Sequence, residues 1–387
     1  MVNSDFDDDL ADLALASPCV DARAYCADER VPRIAGPPTP ADFRALVTSS
    51  RPVILTGCTL DWPALSKWTH EYLRSTLGDS EVHVALTPDG LGDAVVPSPH
   101  GGDVFVKPHE ALMRFSDFCD AIESPLLDAS TGERRRAVHY ASHQDSSLSE
   151  FEPLRTDTRA FGWADEAFGE PAAATNFWMG EDAAHTTVHA DLYDNVYAVT
   201  SGCKRFHLLP PQEARGLQRR QYRSATYRPA AAASSGGGGG DGGDGDDGGD
   251  GDDGDDGDDG GETGSGAAGA GGERSRSGNR SRSGRSGLRL ALDEPEAQVI
   301  WASVDLVGEE GEALRPLTAT VGAGDVLYLP ALWWHAVSQR GGAEGTTTAV
   351  NFWYMGPAAL GDAAEEAADR AADKLLRAAG IGFGGGT

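Results

Sequence analysis

Thr186-Thr-Val-His189-Ala-Asp191-Leu-Tyr-Asp-Asn195 is the stretch that decides how the rest of this 387-residue chain is read. On a strand or at its end, residues i and i+2 point the same way, so His189 and Asp191 can face one point. A third donor must come from elsewhere, and Leu329-Pro-Ala-Leu-Trp-Trp-His335 offers one at the start of a later strand. Two imidazoles and one carboxylate on one face leave the other positions of an octahedral iron(II) open. A non-haem oxygenase needs those positions for a cosubstrate and dioxygen. Zinc favours a closed tetrahedral set instead.

If 2-oxoglutarate chelates such an iron, its far carboxylate needs a buried cation and a hydroxyl donor. Lys204 follows the Ser201-Gly202 turn, in what reads as a hairpin of Tyr197 to Thr200 with Lys204 to Leu209. Alternation puts Lys204, Phe206 and Leu208 on one face, where a lysine is costly unless paired. His207 alternates away and is expected to be partly exposed. His185 stands four residues before His189, but no Glu follows it and Thr-Thr-Val disfavours a helix, so a zinc-protease motif is not supported. Cys203 reads as a packed strand thiol.

Outward from these residues the chain reads as many short strands. Arg51 to Leu55 begins the series, and apolar or β-branched runs follow at 82–86, 104–106, 137–140, 175–179, 195–200, 204–209, 297–301, 317–321, 326–329, 334–338 and 346–353. Such strands, separated by Gly and Pro turns, make a sandwich or barrel. Thr39 caps a helix with Pro40 at its first position, ending near Ser49. Thr69 and Gly78 bracket a second helix, and Ser116 caps a third across Asp117 to Ile122. The class is mainly β with flanking helices.

From Ala231 to Gly287 almost no hydrophobe exceeds Ala: a Gly/Asp block (236–261) precedes an Arg/Ser block (274–286). Such a segment cannot bury enough apolar surface to order itself, so it is expected to be a disordered insertion. The expected organisation is an N-terminal extension (1–35), one folded domain (36–228 with 288–357), the insertion (229–287) and a C-terminal helix (358–387) stopped by Gly380.

The formal charge is -29; residues 229–287 hold thirteen Asp/Glu and five Arg, which leaves -21 on the rest. A surface this acidic repels phosphate backbones, so direct nucleic-acid binding is not expected and basic protein partners are favoured. No apolar run reaches the length of a membrane helix, and the acidic N-terminus is unlike a secretion signal. The expected compartment is intracellular, cytoplasmic rather than nuclear. Five scattered cysteines suggest neither disulfides nor a zinc knuckle.

The residues also resemble the jumonji-C (JmjC) oxygenases. The likeness runs through Pro38-Thr-Pro, Arg51-Pro-Val-Ile, Asp61-Trp-Pro-Ala-Leu-Ser-Lys-Trp68, Leu86-Thr-Pro-Asp-Gly90, Asn176-Phe-Trp-Met-Gly-Glu181, Tyr328-Leu-Pro-Ala-Leu-Trp-Trp-His335 and Val350-Asn-Phe-Trp-Tyr354. The resemblance implies a double-stranded β-helix of the cupin-like, jelly-roll kind, with His189, Asp191 and His335 holding Fe(II). It implies that Lys204 binds the 5-carboxylate of 2-oxoglutarate with help from Thr186 and Tyr140, and that Asn195 and Asn351 line the cosubstrate pocket. Oxygen is then placed on a protein side chain, with C3 of a lysine in a translation-associated GTPase as the substrate and a homodimer formed through the C-terminal helix. The alternatives are a peptidase, a histone lysine demethylase, and a non-catalytic cupin-like scaffold that binds metal. An acidic cleft would suit a lysine, although the sequence does not say which acids form it.

Overall fold

Eight strands shared between two sheets form the frame. They are β1 (Ala174–Glu181), β2 (His185–His189), β3 (Asp194–Ser201), β4 (Cys203–Leu209), β5 (Leu317–Gly322), β6 (Val326–Leu329), β7 (Trp334–Arg340) and β8 (Thr346–Tyr354). The computed structural model describes residues 22–26, 29–99, 101–133, 135–144, 146–230 and 286–356. Within it the order β6-β3-β8-β1 lies in a nine-stranded sheet and β5-β4-β7-β2 in a five-stranded one, all antiparallel. This is the expected jelly roll.

The large sheet is buried on both faces, which explains why its central strands read as near-continuous apolar runs rather than alternating ones. Tyr197 and Val199 of β3 pack toward Phe206 and Leu208 of the small sheet. Val196 and Ala198 of the same strand face the other way, into a cluster with Phe43, Leu73, Phe118 and Leu154. Those residues come from helices Pro40–Thr48, His70–Leu77 and Phe115–Glu123 and from the 3₁₀ segment Ser147–Asp157. Thr39 caps the first helix as expected, its hydroxyl accepting from the Asp42 N–H. The third helix starts earlier than expected: Arg114 is its N-cap and Ser116 lies inside it, because Phe115 is buried in the first turn.

The hairpin expected between residues 197–200 and 204–209 does not form. β3 pairs with β6 and β8, whereas β4 pairs with β5 and β7 in the other sheet. Gly202 makes the crossing, at φ 72°, where a Cβ would lie 2.7 Å from the Arg340 carbonyl oxygen. The facing of Lys204, Phe206 and Leu208 nevertheless holds, since all three are buried. His207, expected to be partly exposed, is buried as well. The outer face of β4 is exposed at Arg205 but covered at His207 and Leu209, so alternation alone could not tell where along the strand the cover begins.

A third sheet, 288–292, 220–229, 103–107 and 94–97 in order, flanks the barrel. Strand 220–229 had no counterpart among the expected elements. It pairs antiparallel with 288–292, Pro229 opposite Leu288, and the Ala230 N–H donates to the Gly287 carbonyl. The two ends of the inserted segment are therefore held together by the sheet itself. Residues 33–35, counted with the N-terminal extension in the sequence reading, pair with 53–56 at the edge of the large sheet. The insertion from 231 to 285, residues 1–21 and the expected helix at 358–387 lie outside the described residues.

No helix among the described residues is long and apolar enough to cross a membrane. The described cysteines at 26, 58, 119 and 203 form no disulfide; Cys19 lies outside the described residues. Burial pushes the Cys203 thiol up against the pull of Arg340 and Arg205, consistent with a packed strand thiol. Replacing residues 231–285 by a two-residue Asn-Gly turn is expected to leave the melting temperature within about 4 °C, because the register at 229/288 already closes the loop. A thermal unfolding scan checks this, and loss of the cooperative transition would show that the excursion supports the fold.

Candidate metal centre and cosubstrate pocket

β2 and β7 pair so that His189 stands directly opposite His335. Asp191 lies just past the end of β2, so strand alternation does not orient it. Instead its carbonyl accepts from the Leu332 N–H at 2.8 Å, tying it to the turn that leads into β7. Asp194, buried nearby, takes the Tyr328 hydroxyl at 2.6 Å and the Ala331 N–H, which secures the same turn from the other side. Burial raises the Asp194 carboxyl to about 6 despite those two bonds.

The donor atoms of His189, Asp191 and His335 all lie within 4.8 Å of one another. Each imidazole is oriented by its own strand: His189 Nδ1 meets the Thr187 carbonyl at 2.8 Å and His335 Nδ1 the Trp333 carbonyl at 2.9 Å. A carbonyl can only accept, so both Nδ1 atoms carry the proton and both Nε2 lone pairs are left for a metal. The Nε2 atoms sit 3.8 and 3.6 Å from the Asp191 carboxylate. Burial first, and the neighbouring His189 second, hold the His335 imidazole down at about 4, which keeps it a neutral donor at physiological pH. Two nitrogens and one oxygen facing one point suit iron(II). His185 is not in this cluster.

Trp301, from the third sheet, lies parallel to the His189 ring at 6.5 Å and donates to the Thr187 hydroxyl. Nothing in the local sequence pointed to that residue, because its contact is made across sheets.

The triad opens into a cavity of about 590 Å³ lined also by Thr186, Tyr140, Asn195, Lys204 and Asn351. Lys204 is 1% exposed, and its ammonium donates to the Tyr140 hydroxyl at 2.6 Å. No carboxylate among the described residues pairs with it, and burial alone pulls its pKa down to about 7. A buried cation whose partner is a neutral hydroxyl is a ready anion site. Asn351 is held in place by Trp178 Nε1 at 2.8 Å and donates to Asn195 Oδ1 at 3.0 Å.

Gly180 makes room for this anchor. A Cβ there would meet the Tyr140 ring at 2.5 Å and the Gln339 amide at 2.9 Å, so the strand must carry no side chain at that point. A glycine directly after the apolar run Phe177-Trp-Met179 of a strand was the available signal. Gly180→Ala is expected to push Tyr140 aside and weaken 2-oxoglutarate binding by about tenfold while leaving metal affinity unchanged.

Three measurements test the pocket. Asp191→Ala should weaken Fe(II) or Mn(II) binding on the order of a hundredfold and abolish the metal-induced rise in melting temperature. The folded-state pKa of Lys204 lies below its unfolded value. Its charge therefore destabilises the ligand-free fold fully below about pH 7, and this is relieved as pH rises toward the ordinary lysine range. Lys204→Met should accordingly raise the ligand-free stability by about 1–2 kcal/mol in urea unfolding at neutral pH and remove 2-oxoglutarate binding. In the unmodified protein that binding should weaken by up to about tenfold per pH unit above about 7, as the ammonium is lost; a flat titration profile would reject Lys204 as the anion anchor.

A cupin-like domain family matches residues 39–359. The human bifunctional peptidase and (3S)-lysyl hydroxylase JMJD7 is 33% identical over 345 residues, covering 86% of each chain. The JmjC domain-containing protein E of Dictyostelium discoideum is 28% identical over 92% of each chain. The lysine-specific demethylase JMJ32 of Arabidopsis thaliana is 30% identical over 84% of this chain and 81% of its own. Likeness on this scale takes in both sheets and the whole cavity, and the chain belongs to the cupin-like JmjC family of oxygenases.

Proposed function

We propose that this chain is an Fe(II)- and 2-oxoglutarate-dependent dioxygenase that hydroxylates a lysine side chain of a protein. The observation that carries the reading is one cavity with a two-histidine, one-carboxylate donor set and a buried lysine that no carboxylate among the described residues pairs with. A scaffold has no use for the second feature. Iron(II), when bound, would activate dioxygen, one oxygen atom entering a substrate C–H bond and the other the succinate left when 2-oxoglutarate loses carbon dioxide.

The protein's own part is binding, orientation and exclusion of water. His189, Asp191 and His335 would hold the metal, and a three-donor set of this kind leaves coordination positions for cosubstrate and oxygen. Lys204, with the hydroxyls of Tyr140 and Thr186, neutralises the far carboxylate of 2-oxoglutarate, and Asn195 and Asn351 bound the space between. Phe206 and Val337 contribute apolar wall, which keeps water off the reacting centre.

The human relative's name supports C3 of lysine as the site of reaction. The resemblance of the sequence adds a translation-associated GTPase as the protein substrate and a dimer made through residues 358–387, and the compartment that goes with this reading is the cytoplasm. A second reading, lysine demethylation, is favoured by the name of the Arabidopsis relative.

Incubation with Fe(II), ascorbate, 2-oxoglutarate and lysine-containing peptides separates these readings. The expected result is succinate release together with a gain of one oxygen on the peptide, abolished in His335→Ala and Asp191→Ala. Loss of a methyl from a methyl-lysine peptide would instead select demethylation, and peptide fragments abolished in Asp191→Ala would select the peptidase. Absence of succinate with every peptide would sink the oxygenase reading.

A further inference from the structure

Two carboxylates on the wall of the cavity have no role in metal or cosubstrate binding: Asp93 and Glu110. Asp93 follows the short strand Leu91–Gly92, which pairs in parallel with β2, Gly92 opposite Thr186. The Thr187 hydroxyl donates to the Asp93 carbonyl, which ties Asp93 to the strand that carries His189. Its charge lies close enough to His189 for the two to interact. Glu110 stands on the edge strand His109–Arg114, near enough to Asp93 for the two charges to repel.

Both side chains are reached by solvent, but within a concave wall rather than on an open face. Neither has an ion pair or a side-chain hydrogen bond among the described residues. Lys107, the cation that acts on Asp93, is bonded to Asp293 at 2.9 Å. The cavity's own cation, Lys204, is committed to Tyr140 and to the anion it awaits. Two adjacent like charges without a counterion favour a cationic ligand. Trp353, stacked flat on Tyr193 at 5.1 Å, adds a broad apolar surface along which a hydrocarbon stem can lie.

We infer that Asp93 and Glu110 are the specificity residues of this site and together take the ammonium of a lysine side chain whose stem lies in the cavity. The inference rests on the reading of the cavity as the oxygenase site, and it names the feature that selects lysine there. A lysine's C3 and its ammonium are separated by only a few methylenes, so whatever reads the charge must stand beside the metal donors. Asp93 does, through its link to β2. Glu110 is the second contact, since one exposed carboxylate holds an ammonium weakly in water.

The test measures binding without turnover. The full chain, loaded with Mn(II) and 2-oxoglutarate under nitrogen, is titrated with fluorescently labelled peptide pools of randomised flanks centred on lysine, on norleucine or on arginine. The expected result is that the lysine pool binds at least about fivefold more tightly than the norleucine pool, and that Asp93→Asn and Glu110→Gln each reduce this preference to within about twofold. Glu110→Asp, which keeps the charge, should retain most of it, a rescue that a merely structural role would not produce. Preference undiminished in both neutral variants, no preference in the unmodified protein, or tighter binding of the arginine pool would each overturn the inference. A protein that prefers lysine in this assay but adds no oxygen to any pool when Fe(II) and air replace Mn(II) and nitrogen would instead refute the oxygenase reading alone.

Discussion

The pairing of β2 with β7 is the constraint from which the site follows. Residues 189 and 335 are far apart in sequence, yet a jelly roll places their strands side by side, and the register sets the two imidazoles opposite each other. A slip of one residue would turn one histidine to the other face of the sheet and leave two donors instead of three. The hydrophobic pattern of both sheets holds the register. Trp334 is buried with Val188 on one side, while Val337 packs against the core between the sheets.

Given that frame, the placement of Lys204 is a balance of opposing terms. Burying an ammonium among Phe206, Leu208 and Tyr197 is unfavourable, and a single neutral hydrogen bond offsets little of it. A protein selected for stability alone would place Met or Leu there. The strain is kept local by a rigid surround: Gly180 lets Tyr140 approach, and Trp178 fixes Asn351 on the neighbouring strand. The lowered lysine pKa and the neutral histidine at 335 have a common origin, since burial is the largest cause of both shifts. A bound carboxylate would supply the counter-charge that Lys204 lacks, and the neutral imidazole of His335 is already in the form that donates to a metal.

The large sheet separates these tasks. Its inner face, toward the small sheet, holds the cavity; its outer face carries a helical layer whose aromatic side chains, such as Phe43 against Tyr328 at 4.9 Å, stiffen the sheet from behind. The flanking third sheet reaches the metal donors through Trp301, so the long excursion at 231–285 leaves the chain from a sheet that itself touches the site.

Several features were legible in the residues alone because their causes are local. The Thr39 cap and Pro40 start a helix whatever surrounds them, and the apolar runs at 195–200 and 346–353 are strands by composition and length. The spacing of His189 and Asp191, with His335 in an aromatic strand, named the donors by residue type, although a turn contact rather than alternation orients Asp191. What only the tertiary structure decided depends on strands meeting across sheets. It separated β3 from β4 where the sequence reads as a hairpin, buried His207 under a second layer, and made strand 220–229 the partner of 288–292. It also brought Asp93 and Glu110 to the wall of one cavity. A sequence specifies which side chains a strand can present, but the neighbour each strand chooses is set by burial summed over the whole sheet.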